Sequence, residues 1–308
     1  MNDMAGGFVI LDKPSDMTSR TAGGRVARMF GIKKFGHLGT LDPMASGVLP
    51  IALGEATKMI PYLDAAGVKK CAVKEYEFSV KWGIETDTGD ITGKIIKETP
   101  HSTLYTPNFE QIRRALGALA GEIEQTPPAY SAIKIGGRKA YEMARRGVDF
   151  EMPKRKVMIY DLVAVDQLPL TSFIVKCSAG TYVRTLAQQI AGEINKMGNE
   201  YICTCDMIRR TRTHMFDIKD AVGLDFLENL YNNDPQSVSQ HLKPVDFGLD
   251  DILVLEIGDN EAALFRNGGF VGTDGDGQRR VYNNSEFIGI GEIVNGQLRP
   301  KRIITTQG

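Results

Sequence analysis

One acidic side chain stands alone in a turn-rich segment and is the first candidate for chemistry. The segment reads GHLGTLDPMASGVLP over residues 36–50, and Asp42 is its one carboxylate. Its neighbours are apolar, small or turn-forming, and a carboxylate buried among apolar groups is costly unless it has a partner. Asp42 therefore either caps backbone N–H groups of its loop or reacts as a nucleophile, as carboxylates do in glycosidases.

A nucleophilic carboxylate must stay ionised, which requires a cation nearby. Arg184 is a candidate because it follows CSAGTYV at 177–183, where a predicted strand ends in a glycine turn and a helix begins. The sequence contains no GxxxxGK[ST] phosphate loop, dinucleotide fingerprint, HExxH, CxxC pair or GxSxG elbow. We therefore expect a reaction that uses no cofactor, metal ion or activated serine.

Basic residues cluster in three places although the net charge is −1. Residues 17–41 hold five bases and no acid, residues 134–156 have a local charge of +5, and Arg209, Arg210 and Arg212 form a third cluster. Residues 246–276 instead hold eight acids and one base. One cluster is typical of a solvated face, but three in one region favour a polyanion bound by the first two-thirds of the chain.

The elements that must position these residues follow one another irregularly. Apolar periodicity predicts strands at 8–11, 72–82, 157–165 and 173–177. It also predicts helices from Thr18 or Ser19 to about Phe30, from Thr106 to Gly121 and from Val183 to Gly198. Residues 233–251 are the predicted linker, and four short strands are expected over 252–304. This order predicts an α+β fold with a mostly antiparallel mixed sheet and flanking helices.

Composition limits the cellular setting. No run of about 18 apolar residues is present, and residues 1–4 carry no secretory signal, so we expect neither a membrane span nor secretion. The cysteines form no CxxC pair, so we expect reduced thiols, no zinc site and a cytoplasmic protein. They are Cys71, Cys177, Cys203 and Cys205.

Six motifs resemble, in family order, those of the TruB-type pseudouridine synthases, the bacterial tRNA pseudouridine-55 synthases. They are DKP at 12–14, GHLGTLDPMASG at 36–47, KEY at 74–76, PPAYSAIK at 127–134, GTYVR at 180–184 and RRT at 209–211. The resemblance implies a catalytic domain over 1–245, with a basic clamp segment at about 126–156. A weaker match, through NGG at 267–269 and FIGIG at 287–291, implies a PUA-like module over 250–308.

The resemblance also implies roles for single residues. Asp42 matches the essential aspartate, Tyr76 the tyrosine that stacks on the flipped-out base, and Arg184 the arginine that pairs with the aspartate. His37 matches a histidine near the displaced nucleotide, and Lys13 a lysine that supports the pocket floor. The remaining positions expected to bind substrate or RNA are Tyr182, Ile208, Lys134, Arg138, Lys154, Arg155, Arg209 and Arg210.

The implied reaction isomerises uridine-55 in the TΨC loop of tRNA: the N1–C1′ bond breaks, the uracil turns and C5 rejoins the sugar, without a cofactor. Asp42 could attack C1′, attack the uracil ring or remove a 2′ hydrogen, and the sequence leaves these three routes open. The alternative is a non-catalytic tRNA-binding or folding factor that uses the same cleft. We expect a monomer that binds the T-arm of tRNA and has no protein partner.

Overall fold

The computed structural model describes residues 6–63, 73–99, 106–166, 170–198 and 200–305. Three of the predictions concern residues outside these ranges: Cys71, residue 72 at the start of the predicted strand 72–82, and residues 1–4. The strands are β1 Gly6–Lys13, β2 Phe35–His37, β3 Ser46–Gly54, β4 Val73–Trp82, β5 Ile84–Thr86, β6 Ile95–Glu98, β7 Gly121–Gln125, β8 Lys134–Ile135, β9 Arg138–Lys139, β10 Arg155–Asp166, β11 Thr171–Ser178, β12 Cys203–Thr213, β13 Phe216–Asp217, β14 Val222–Gly223, β15 Leu253–Glu256, β16 Val271–Gly272, β17 Gly277–Asn283, β18 Glu286–Val294 and β19 Gln297–Ile303.

The α-helices are α1 Ser19–Met29, α2 Ile60–Leu63, α3 Phe109–Ala118, α4 Ala140–Arg145, α5 Val183–Asn195, α6 Leu224–Asn233 and α7 Asp259–Arg266. The chain divides into two compact units, one within residues 1–43, 48–71 and 214–308 and the other within 44–47 and 72–213. Helices and a large mixed sheet follow one another without regular alternation, which confirms the predicted α+β class.

The first unit combines both ends of the chain. Strand β1 lies between β14, with which it pairs in parallel, and β3, and β2 pairs antiparallel with β3. Its core joins Phe8 of β1 and Val48 of β3 to Ile290 of β18. The predicted linker 233–251 is packed rather than extended, because Lys243 exchanges both backbone hydrogen bonds with Phe8 and Leu249 is 2 % exposed.

The C-terminal strands form a separate five-stranded sheet in the order β15-β17-β18-β19-β16. The four predicted strands of this region are confirmed, whereas α7, which packs Phe265 into a small core with Val281 and Leu298, has no counterpart in the prediction. A β-rich module of this kind agrees with the predicted PUA-like fold. Where the domain boundary falls stays a prediction.

The second unit is an antiparallel sheet with the strand order β12-β4-β11-β10-β7. Residues Ser46 and Gly47 at the start of β3 pair in parallel with β12. On β4, Phe78 is fully buried and stacks on Phe173 at 5.0 Å between ring centroids. Ser79, on the opposite face of the strand, is also buried and donates a hydrogen bond to Asp206.

Helices α1 and α5 match their predictions, but α3 begins later than expected. Asn108 caps α3 and not Thr106, because Asn108 and Gln111 exchange side-chain and backbone hydrogen bonds of 2.8 and 2.9 Å in a capping box. Phe109 therefore occupies the first turn and is 57 % exposed, outside the predicted apolar stripe. No helix in the described part of the chain is long and apolar enough to cross a membrane.

Candidate active site

Asp42 belongs to the first unit and lies in the loop that connects β2 to β3. Asp42 is partly exposed, whereas Leu38 and Leu41 before it are buried. The apolar residues of the segment thus pack inward and leave the carboxylate at the surface of the loop. His37, at the end of β2, is half-buried and pairs with Ile51 of β3.

Hydrogen bonds hold the chain on both sides of Asp42. The backbone of Leu41 exchanges two hydrogen bonds of 2.9 Å with the hydroxyl of Ser19, which is buried at the start of α1. The carbonyl of Pro43 accepts from the backbone N–H of Met17 at 3.2 Å. The carboxylate is therefore attached to a backbone that both neighbours keep in place.

Lys13 contributes to the same anchoring from inside the protein. Its side chain is fully buried, and its ammonium donates to the carbonyls of Pro14 and Met17 at 2.7 Å and of Pro43 at 3.3 Å. Three acceptors surround the amine and offset the cost of removing a charge from water. Lys13 thus supports the Asp42 loop, and its burial is unsuited to the direct RNA contact that the sequence left possible.

The second unit holds Tyr76 on the central strand β4. Its Cα partners are Val175 on β11 and Arg210 on β12, and its side chain is 7 % exposed. The guanidinium of Arg210 forms a hydrogen bond with the Tyr76 side chain. Ile208, two residues before Arg210, pairs with Phe78 and is buried.

Arg184 lies in the first turn of α5 and is 4 % exposed. Its guanidinium Nη1 is 3.4 Å from a carboxylate oxygen of Asp90 and donates to the carbonyl of Thr88 at 2.6 Å, while Nη2 donates to the carbonyl of Tyr130 at 3.0 Å. Arg184 thus connects the β5–β6 turn to the segment that begins the basic clamp. Its predicted pairing with Asp42 stays a prediction.

Sequence reasoning missed Asp90. Its side chain is 6 % exposed, and Oδ1 accepts hydrogen bonds from Thr88 Oγ1 at 3.0 Å and from the backbone N–H of Thr92 at 3.1 Å. The stretch TDTGD at 86–90 places two acids among hydroxyl residues, which is the local signal for such a polar network. A carboxylate so placed orients the Arg184 guanidinium.

Tyr182 immediately precedes α5 and is held by two side chains. Its backbone N–H donates to the amide oxygen of the buried Gln125 at 2.9 Å. The guanidinium carbon of Arg155 lies 5.2 Å from the Tyr182 ring centroid, which is a cation–π contact. The positive charge of Arg155 therefore already interacts with a side chain of the protein itself.

The clamp segment, about residues 126–156, contains the β8–β9 hairpin and helix α4. Lys134 and Arg138 are exposed on the hairpin. Lys154 and Lys156 are exposed too, but they form ion pairs of 2.8 Å with Glu124 and Glu122 of β7, respectively. Ion pairs this exposed are weak because water screens them, so a phosphate can replace the carboxylate as the partner of either lysine.

The arginines of β12 occupy different environments. Arg209 is partly exposed, and its Nη1 is 3.4 Å from the hydroxyl of Ser46. Arg210 is fully buried. Its guanidinium is therefore not exposed to bind a phosphate, which is the role that the sequence led us to expect. Among the described residues, no group of three or more His, Cys, Asp or Glu side chains is placed to hold a metal ion.

Comparisons with known proteins agree on one family. The model of the TruB family pseudouridylate synthase N-terminal domain matches residues 27–183, and that of the pseudouridine synthase II TruB C-terminal domain matches residues 254–304. The chain is 39 % identical to the tRNA pseudouridine synthase B of Caulobacter vibrioides, over 98 % of this chain and 96 % of that protein. It is 40 % identical to the enzyme of the same name from Azoarcus sp., over 98 % and 95 %.

Solved structures support the fold. A chain from the structure of an H/ACA RNP bound to a substrate RNA containing 2′-deoxyuridine has a TM-score of 0.67 at 19 % identity, over 97 % of this chain and 85 % of that one. A chain from the crystal structure of a Cbf5-Nop10-Gar1 complex has a TM-score of 0.65 at 20 % identity, over 98 % and 85 %. At these identities the likeness concerns the fold alone.

Proposed function

This chain belongs to the TruB family of tRNA pseudouridine synthases, and we propose that it isomerises uridine-55 in the TΨC loop of tRNA with Asp42 as the nucleophile. The observation that carries the proposal is the match of 39 % identity to a tRNA pseudouridine synthase B over 98 % of the chain. No observation favours a non-catalytic tRNA-binding factor.

The surroundings of Asp42 support its role as the nucleophile. A reacting carboxylate must be accessible and held in one geometry. Asp42 is partly exposed, and hydrogen bonds to Leu41 and Pro43 hold the backbone on either side of it. During isomerisation the N1–C1′ bond breaks, C5 bonds to C1′, the C5 proton leaves, and N1 takes up a proton. Asp42 starts this exchange, and Arg184 is its proposed charge partner.

Tyr76 provides an aromatic face for the uracil. Flipping the base out of its stack costs a few kcal/mol, and stacking on an aromatic ring returns about 1–3 kcal/mol. Tyr76 is also the residue we propose to handle a proton of the base. Ile208 supplies an apolar contact to the base, and His37 and Tyr182 bind the nucleotide.

The T-arm of tRNA is the proposed binding element. The exposed Lys134, Arg138 and Lys154 of the clamp segment and the partly exposed Arg209 are suited to its phosphates. We propose a monomer acting in the cytoplasm, with a catalytic domain over 1–245 and a PUA-like module over 250–308. The module's own core around Phe265 supports this division.

The direct test is to incubate the protein with an unmodified tRNA transcript and to map pseudouridine chemically at each position. We expect one modified position, 55, and none in a transcript with cytidine there. Asp42→Asn should abolish product while tRNA affinity survives. Equal loss of binding and product would contradict the nucleophilic role, and modification at another position would contradict the proposed substrate site.

A further inference from the structure

We infer that Arg210 is a positioning residue for Tyr76: it holds the phenolic oxygen, so that the ring keeps the position needed to meet the uracil. This inference rests on the role proposed above for Tyr76. It gives Arg210 a function inside the protein in place of the phosphate contact expected from the sequence.

Strand pairing brings the two residues together. Arg210 on β12 and Tyr76 on β4 are Cα partners in an antiparallel pair, so their side chains lie on the same face of the sheet. The register shifts between Arg210 and Arg212. A bulge at this point changes the direction of the strand, and bulges often re-aim side chains beside active sites. Arg210 is the last residue of the regular run, with Tyr76 opposite it.

Arg210 is far more buried than the neighbouring arginines on β12. Its relative exposure is 0 %, whereas Arg209 is partly exposed and Arg212 has a side-chain exposure of 42 %. Arg212 forms an ion pair of 3.7 Å with Glu75. A guanidinium without exposed surface cannot reach a phosphate in this conformation. Inside the sheet, the phenolic oxygen of Tyr76 accepts a hydrogen bond from this guanidinium.

The backbone of Arg210 is held by the strands on both sides of β12. Gly47 of β3 pairs with Arg210 and has φ +103°, and a Cβ atom there would lie 2.1 Å from the Arg210 carbonyl oxygen. Only glycine permits this close approach. Because both neighbouring strands hold the backbone, the long Arg210 side chain starts from a defined position.

Burying a guanidinium costs free energy, because the charge leaves water. A buried arginine therefore indicates a specific role inside the protein. Burial lowers the pKa of Arg210 from its ordinary value, and the attraction of Tyr76 opposes that shift. Arginine nonetheless remains charged in proteins. Its hydrogen bond to Tyr76 is therefore charge-assisted, shorter and stronger than one between neutral groups. Such a bond fixes the position of the phenolic oxygen and so limits rotation about the Cα–Cβ bond of Tyr76, which sets where the ring lies.

A double-mutant cycle tests the inference. Arg210→Met, Tyr76→Phe and the double variant are compared in single-turnover pseudouridine formation, and tRNA affinity and urea unfolding are measured for each. If Arg210 acts through the phenolic oxygen, Arg210→Met slows isomerisation about ten- to a hundredfold in the chain with Tyr76. In the Tyr76→Phe background, which lacks that oxygen, the same substitution has little further effect. Affinity for tRNA stays within about twofold.

Two further variants keep the outcome decisive. Arg212→Met, on the same strand but partly exposed, is the matched control and should have equal effects in both backgrounds. If Arg210→Met does not fold, the cycle is run with Arg210→Lys, which keeps the charge but lacks the planar fork. Equal loss of turnover in both backgrounds, with either variant, overturns the inference and leaves a purely structural arginine. Normal turnover of Tyr76→Leu would instead overturn the role proposed for Tyr76.

Discussion

The buried ion pair of Arg184 and Asp90 leads to a prediction that can be worked out in detail. We expect Asp90→Asn to lower both the free energy of unfolding and the rate of isomerisation. The substitution keeps the shape of the side chain and an oxygen that can accept from the Thr92 N–H. It removes the negative charge that lies 3.4 Å from Arg184 Nη1.

The magnitude follows from that distance and from the burial of both groups. At 3.4 Å two unit charges attract by about 5 kcal/mol at an effective dielectric constant of about 20. Removing one partner of a buried pair costs about 3–5 kcal/mol, because the other charge is left uncompensated. Arg184 keeps its hydrogen bonds to the carbonyls of Thr88 and Tyr130. We therefore expect a loss of about 3 kcal/mol in unfolding free energy.

The assay pairs urea unfolding with single-turnover conversion of a tRNA transcript labelled with tritium at uridine C5. Tritium is released when C5 bonds to the sugar. Because Arg184 is the proposed partner of Asp42, the rate should fall more than tRNA affinity does. Asp87→Asn, which removes an exposed carboxylate from the same turn, is the control. A stability of Asp90→Asn within about 0.5 kcal/mol of the wild type would refute the reasoning, since that is the size of an ordinary surface effect.

Three other predictions concern the base contact, the clamp and the buried thiols. Tyr76→Leu should severely reduce turnover while the circular dichroism spectrum is retained, and near-normal turnover would mean that Tyr76 only packs in the core. Replacing Lys154, Arg155 and Lys156 by Ala should make tRNA affinity depend less on salt. The slope of the logarithm of the binding constant against the logarithm of salt concentration should shrink by up to about 0.9 per lost phosphate contact. An unchanged slope would mean that this segment does not contact the RNA. Burial raises the pKa of Cys203 to about 12 from an ordinary value of 9.0. As pH rises, the thiol of the unfolded chain therefore loses its proton before that of the folded chain. The free energy of unfolding should then fall above about pH 9. Cys203→Ala should reduce that fall in urea unfolding measured between about pH 9 and 11, and an identical pH dependence in both proteins would contradict it.

Local patterns were enough to predict much of the fold. The alternation in residues 73–82 identifies the central strand, and Thr18 and Gly31 bracket α1 because a threonine cap and a left-handed glycine leave local signals. The start of α3 was predicted two residues early, since the capping box at Asn108 outweighs the proline signal at 107. Helix α7 was missed because its short apolar face becomes evident only when Phe265 packs on the C-terminal sheet.

The sequence by itself determined the family, the motif that carries Asp42 and the aromatic Tyr76, because these depend on residue types at short spacing. The tertiary structure decided what each charged side chain does. Arg209 and Arg210 are adjacent in the chain, yet their side chains fall on opposite faces of a strand, so one is partly exposed and the other is buried against Tyr76. Asp90 and Arg184, 94 positions apart, become an ion pair only when the sheet and α5 have formed. The physical reason is burial: sequence spacing specifies which charges exist, while the folded chain specifies which of them water no longer reaches and which must therefore find partners inside.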